Sequence, residues 1–443
     1  MFAPATPTRA GTPPRAGVGP RVVRNARAAG RALALAELGV SIGCVGALAK
    51  LGVPASKRRH AHVGERVARR VDRLGGAYLK IGQLLSTRAD LLADEQRAPF
   101  ARLCDQATPV RPETWLASLR DGDLDGLVEV QRLPFATGSF THVHLARRRD
   151  TGQRVVVKVL RPDAHARFSA DVALILGFSR IGARLPLLSS VPVMDAVKLL
   201  AQAIGSHLDL TTEAALQGRL SEQLSERSDV VVPKPHLDLS DSTMLVMDHV
   251  ASARRIDDRR LDPQLQRDAA LAALRALYTM LFDGGLVHCD LHPGNMLVTD
   301  EGKLVLIDVG YASQLDEDQQ TAFAELFKAM ALADADLVAQ VVLQTATRLP
   351  DRVNRDALVS DLATIVDRVA GRSAAEFNVA AFVTNLFAVQ RRHRIVASPG
   401  FTMGIVALVM LEGVLKQLTP ALDFQREAMP FVLGRLQAAR RDS

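Results

Sequence analysis

The chain of 443 residues is 48% apolar but only 4% aromatic, and it carries a net charge of +7. That supplies core material for two lobes and an extension, built mostly from Ala, Leu and Val, a composition that favours helix over strand. The basic balance suits phosphate groups or anionic lipid; no basic run is interleaved with aromatics, so nucleic acid is not expected as a partner, and the scattered Cys44, Cys104 and Cys289, with no C-x-x-C pair, speak against a disulfide framework or zinc site and fit a reducing compartment.

Residues 1–36 lack Asp and Glu and hold Arg9, Arg15, Arg21, Arg24, Arg27 and Arg31 among Pro and Gly. This predicts a disordered basic tail, with an organelle transit peptide as the alternative. The stretch 32–49 is apolar but contains Glu37, Gly39, Gly43 and Gly46. An amphipathic or packed helix is expected there in preference to a membrane span, which needs about 20 apolar residues. From 63 to 104 the pattern is helical and charged, and 105–126 is turn-rich. The period then changes. Runs 128–133, 143–146 and 155–160 read as short strands, with Asp150-Thr151-Gly152 as a hairpin turn. Residues 163–226 read as helical, and 230–232 and 243–250 as strands. Everything beyond 263 reads as helix except 296–298 and 304–307. The apolar run 401–415, which contains Glu412 and is followed by Lys416, reads as a buried core helix. A small sheet followed by a helical bundle predicts a bilobal α+β fold. Its expected divisions are 1–60 as tail and apolar helix, 61–126 as helical extension, 127–250 as N-lobe and 251–443 as C-lobe.

The chemistry concentrates in His288-Cys289-Asp290-Leu291-His292-Pro293-Gly294-Asn295. Protein kinases place H-R-D-L-x-x-x-N in their catalytic loop, and only the Arg differs here. Asp290 can accept the proton of an attacking hydroxyl, and Asn295 can reach a metal beside the phosphates. His288 is expected to orient the loop. Eighteen residues after Asp290 stands Asp308-Val309-Gly310, where kinases place D-F-G; Asp308 would hold Mg²⁺, and Gly310 would supply backbone angles closed to a side chain. Upstream, Val155-Val156-Val157-Lys158 matches the V-A-I-K strand, with Glu213 as the helix partner of Lys158 in preference to the solvated Glu222 and Glu226. Ala136, Thr137, Gly138 and Ser139 form a weakened phosphate loop. The run 244–250 is the expected hinge, with Met247, His249 and Val250 at the adenine. No A-P-E follows Gly310 and no proline occurs before Pro350, so a small molecule or lipid is expected as acceptor in preference to a peptide.

These residues resemble the UbiB/AarF family of atypical protein-kinase-like enzymes over about residues 65–425. The family's K-x-G-Q motif corresponds to Lys80-Ile81-Gly82-Gln83, its catalytic loop also carries His292-Pro293-Gly294, and Leu411-Glu412-Gly413 with Leu418-Thr419-Pro420 is similar to its C-terminal helix. The resemblance implies a protein-kinase-like fold with N-terminal helices over the active site and Lys80 and Gln83 pointing into the pocket. It also implies ATP and Mg²⁺ as cofactors, and ATP hydrolysis or small-molecule phosphorylation tied to isoprenoid quinone or lipid metabolism. The expected location is cytoplasmic, with peripheral contact on the inner face of the membrane, since the chain stops at 440–443 without the terminal hairpin of many members. It departs from the family at His207-Leu208-Asp209, where a Glu-x-Asp pair is usual; a neutral imidazole cannot serve as a carboxylate salt partner for Lys80. Two other classes remain: a phosphotransferase of the aminoglycoside or choline kinase type, which lacks K-x-G-Q, and a nucleotide-binding pseudokinase scaffold, which needs no complete metal set.

Overall fold

The computed structural model describes residues 124–138, 140–161, 164–166, 168–173, 208–367 and 379–442, with Glu65, Arg69 and Gly205 besides. The basic tail, the 32–49 stretch, the extension with Lys80 and Gln83, Ser139 and His207 lie outside the described residues.

The first sheet is built from β1 (Leu127–Val128), β2 (Ala136–Thr137), β3 (Thr141–Arg148) and β4 (Arg154–Leu160), joined after helix α1 (Leu210–Gln223) and strand β5 (Val230–Val231) by β6 (Met244–Asp248). Its order is β1-β3-β4-β6, with β2 paired to β3, and every pairing is antiparallel. β1 is shorter than the expected run 128–133 because Glu129 takes φ 52°, left-handed backbone that ends an extended strand. The β3–β4 hairpin turns at Asp150-Thr151-Gly152, where Gly152 takes φ 69°. Val155, Val157 and Val159 are fully buried on one face of β4, against Leu127, Met244 and Val246. Each such burial contributes about 1.5–3 kcal/mol. Strand alternation puts Val156, Lys158 and Leu160 on the other face, where Phe140 and the α1 residues Leu210 and Ala214 cover them.

The rest of the chain is mainly helical. In order it forms β7 (Arg254–Arg255), α2 (Pro263–Thr279), a π-helical turn (Met280–Gly284), β8 (Leu286–His288), β9 (Met296–Val298), β10 (Leu304–Leu306), β11 (Ala312–Gln314), α3 (Glu317–Leu332), α4 (Ala335–Gln344), β12 (Ala346–Arg348), α5 (Arg355–Asp367), α6 (Val379–Arg392), β13 (Val396–Ala397), α7 (Pro399–Leu418) and α8 (Phe424–Asp442). β5, β10, β9 and β7 make one sheet, and β8–β11 and β12–β13 are two-stranded. The expected strands 296–298 and 304–307 are the β9–β10 hairpin. The sequence reading missed β7, β8, β11, β12 and β13; at two or three residues each, none is long enough for a period of two to show. The large core lies among α2, α3, α6 and α7, around Tyr278, Phe282, Phe323 and Phe401.

Helix α7 starts at Pro399 after an N-cap, Ser398, and buries Phe401, Ile405, Leu408, Leu411 and Leu415. It is long and apolar enough to cross a membrane, but 56% of its apolar window is buried inside the protein, as the core-helix reading expected. Glu412 on this helix is buried and accepts from the backbone N–H groups of Val379 (2.7 Å) and Ala380 (2.9 Å), so it caps the first turn of α6.

Candidate active site

Lys158 projects from the middle of β4 beneath the small sheet. Its Nζ donates to both carboxylate oxygens of Glu213 on α1, at 2.7 and 2.8 Å, and to Asp308 Oδ1 at 2.8 Å. α1 is positioned by Asp209, whose side chain accepts from the N–H of Thr211 at 3.0 Å and caps the helix. Glu213 then falls in the first turn, 1% exposed. Burial alone would lower the Lys158 pKa, but the carboxylates of Asp308 and Glu213 more than offset it and hold the ammonium well above its ordinary value. Burial pushes Glu213 upward against the pull of Lys158, and the charge of Asp308 adds to that push. One cation thus serves two carboxylates, one sealed and one, Asp308, with a side chain 35% exposed.

The second half of the site comes from the β8 and β10 ends. His288 is fully buried at the end of β8. Its Nδ1 accepts from the N–H of Asp290 at 3.2 Å, so Nε2 carries the proton and donates to the carbonyl of Ile307 at 3.1 Å. Burial lowers its pKa, which keeps this neutral tautomer. One imidazole therefore ties the backbone of Asp290 to the residue before Asp308. Ile307 N–H donates in turn to the carbonyl of Asn295 (3.1 Å), and Asn295 Nδ2 donates to the carbonyl of Asp290 (3.0 Å). The 3₁₀ turn Pro293–Asn295 is capped by His292, whose Nδ1 accepts from Gly294 N–H. His292 Nε2 lies 3.8 Å from Asp290 Oδ2. Cys289, in the position of the kinase Arg, is sealed in the core, where burial raises its pKa far above the thiol range.

Two expectations need correction or refinement. The left-handed backbone of the Asp308-Val309-Gly310 turn falls on Asp308 (φ 59°), not on Gly310; a non-glycine residue there costs of order 1–3 kcal/mol and aims the carboxylate. In the hinge, the outer edge of β6 is already paired, since Val246 C=O accepts from His236 N–H and Asp248 N–H donates to Lys234 C=O. Backbone alternation then turns the main chain of Met247 inward to Val156 of β4. Met247 thus faces the site with its side chain, on the Lys158 face of the sheet, where its sulfur accepts from Gln217. His249 and Val250 stand in the link from β6 of the first sheet to β7 of the second.

Ala136 and Thr137 form β2, and Gly138 closes the β2–β3 turn through a 2.9 Å bond from its N–H to Thr141 C=O. A Cβ at Gly138 would stand 2.7 Å from Thr141 Oγ1, so a larger residue there requires that hydroxyl to move. The structure brings together Lys158, Glu213 and Asp308 in one ion cluster, and Asp290, Asn295 and Ile307 in one bonded loop beside it. Sequence reasoning missed the direct Lys158–Asp308 contact, because the two residues lie 150 positions apart.

Residues 125–342 match the family model described as "ABC1 atypical kinase-like domain", and residues 362–423 match "UbiB helical domain". Curated proteins named "Probable protein kinase UbiB" are similar over most of the chain. One from Vibrio vulnificus (strain CMCP6) is 27% identical over 84% of this chain and 70% of its own length, and one from Cronobacter sakazakii is 28% identical over 85% and 71%. Among solved structures, the complex of Rv3197 with erythromycin from Mycobacterium tuberculosis aligns at a TM-score of 0.46 and 20% identity, covering 85% of this chain and 98% of that one. With its kinase-like and helical domains joined in one chain, and the catalytic-loop and D-x-G residues at the positions described, the protein belongs to the UbiB/AarF family of atypical kinase-like proteins.

Proposed function

We propose that the chain binds Mg-ATP in the cleft between β4 and the β8–β10 loops and turns it over as a phosphotransferase or ATPase with a non-peptide acceptor. The observation that carries this reading is the three-way contact of Lys158 with Glu213 and Asp308. A sealed carboxylate that holds a lysine, with a second carboxylate facing the cleft, is an arrangement for gripping phosphate oxygens.

In this reading Lys158 binds the α- and β-phosphates while Glu213 orients it. The main chain of His249 and Val250 meets the base, and the β2–β3 turn at Gly138 covers the phosphates. Asp290 accepts the proton of the attacking hydroxyl or water, held in place by neutral His288. Among the described residues no cluster of three or more His, Cys, Asp or Glu could hold a metal by itself. Mg²⁺ takes one or two protein oxygens and completes its shell with phosphates and water. Asp308 supplies a carboxylate. Asn295, whose amide nitrogen is engaged with Asp290, supplies its amide oxygen. When bound, the metal neutralises charge on the transferring phosphate.

The curated relatives are named as probable protein kinases UbiB; the family resemblance implies isoprenoid quinone or lipid metabolism, so an isoprenoid quinone precursor or a membrane lipid is the proposed acceptor or effector. The test is Asp308→Asn in the full chain. Mg²⁺-dependent release of phosphate from ATP should fall at least about a hundredfold, with the melting temperature within a few degrees of wild type. Unchanged turnover overturns the metal assignment. A profile of quinones and their precursors in a deletion strain tests the pathway: an unaltered profile argues for a lipid outside the quinone route.

A further inference from the structure

Helix α1 belongs to two cores. Leu210 and Ala214 pack in the small-lobe cluster, whereas Leu220 and Leu224, at and just beyond its C-terminal end, pack in the large one. Between them Gln217 Nε2 donates to the carbonyl of Pro233 at 2.6 Å. At the end of the helix Gln223 makes a paired contact: its Nε2 donates to the carbonyl of Leu286 at 3.0 Å and its Oε1 accepts from the N–H of Leu286 at 3.1 Å. A primary amide here reads both polar groups of one residue, as a neighbouring strand would. Leu286 opens β8, the strand that ends in His288 and leads to Asp290.

The surroundings are shaped for this contact. The π-helical turn Met280–Gly284 ends beneath Gln223, and a Cβ at Gly284 would collide with Cγ, Cδ and Oε1 of that side chain. Gly285 follows at φ 74°, which turns the chain into β8. A second tie runs from Arg219 Nη2 to Gln314 Oε1 (2.5 Å) on β11, the partner of β8. Neither Gln223 nor Gly284 touches the proposed nucleotide groups, and nothing in the phosphate chemistry requires them.

We infer that Gln223 is a positioning residue: it bolts the C-terminal end of α1 to the strand that carries the catalytic loop, and so fixes the distance between the Lys158–Glu213 pair and Asp290. Glu213 and Gln223 are ten residues apart on one rigid helix, about 15 Å along its axis. A helix freed at one end pivots, and the pivot displaces Glu213 from Lys158. The catalytic consequence rests on the proposed Mg-ATP site, while the latch itself does not.

The test uses full-length Gln223→Ala, Gly284→Ala and the double variant, with Gln223→Met as a space-filling version that keeps the volume and loses both hydrogen bonds. Two quantities are read at a temperature where each variant is folded: hydrogen exchange of α1 amides 213–220 without nucleotide, and the dissociation constant for Mg-ATP. Each single variant should exchange faster in α1 by about tenfold and bind Mg-ATP about tenfold more weakly, while α6 and α7 exchange as in wild type. The double variant should be no worse than Gln223→Ala, because both changes break one contact. Unchanged α1 exchange, additive losses in the double variant, or a uniform rise in exchange across the whole C-terminal bundle would overturn the inference. If wild type binds no Mg-ATP, the proposed function falls and α1 exchange still decides the latch.

Discussion

Replacing Lys158 with Met removes the cation that pairs with both Glu213 and Asp308 and, among the described residues, takes from Glu213, 1% exposed, its ion-pair partner. Breaking a buried pair by deleting one partner costs about 3–5 kcal/mol. For a unit of 150–250 residues that corresponds to a melting temperature lower by roughly 6–20 °C, at about 2–4 °C per kcal/mol. The loss should depend on pH, and the sign follows from Glu213. In wild type its pKa is already raised, chiefly by burial, with Lys158 pulling it down and Asp308 pushing it up. Without Lys158 only the upward influences remain, so the native state keeps a proton that the unfolded chain releases above about pH 4.5. Native Lys158→Met therefore binds more protons than its unfolded form between that value and the raised pKa, and its stability falls as pH rises through that window. Melting curves of wild type and variant at pH 5 and pH 8, followed by circular dichroism, should show a gap that widens at pH 8. The double variant Lys158→Met/Glu213→Gln should lose the pH dependence and recover part of the stability. An equal gap at both pH values would refute the assignment of Glu213 as the buried, charge-compensated group.

His288→Phe keeps the ring but removes the bonds to Asp290 N–H and Ile307 C=O, two buried polar groups; a loss of about 2–4 kcal/mol in urea melts and a fall in ATP turnover are expected. Glu412→Ala strips the cap from the first turn of α6 and leaves Lys416 without its 2.9 Å partner. It should cost about 2–3 kcal/mol by the same measurement, with faster hydrogen exchange at 379–382, and leave the Mg-ATP dissociation constant unchanged.

The parts of the site that the sequence made legible are those where chemistry is local. His288 to Asn295 and Asp308 to Gly310 announce themselves by spacing. The β9–β10 hairpin between them shows as two apolar runs around Thr299–Gly302, where Gly302 takes φ 80°. Glu213 could be picked over Glu222 and Glu226 because Leu, Ala and Thr flank it, and it alone of the three is buried. What stayed hidden is set by long-range packing. Strands β8 and β11 have three residues each and pair across a catalytic loop, so no local periodicity marks them. Gln223 has no signature of its own, since a glutamine at a helix end is ordinarily solvated, and its partner lies 63 residues away. The placement of left-handed backbone on Asp308 instead of Gly310 reflects the bond from Ile307 N–H to the carbonyl of Asn295 and the His288 contact to Ile307, which fix the chain direction just before Asp308.

In the proposed function Lys158 and Asp308 grip one Mg²⁺-bound triphosphate. Calorimetric titration of ATP into the full chain, with and without Mg²⁺, tests it most directly. The expected result is saturable binding that requires Mg²⁺ in wild type and is lost in Lys158→Met measured below its melting temperature. Binding of equal strength without the metal, or retained in that variant, would contradict it.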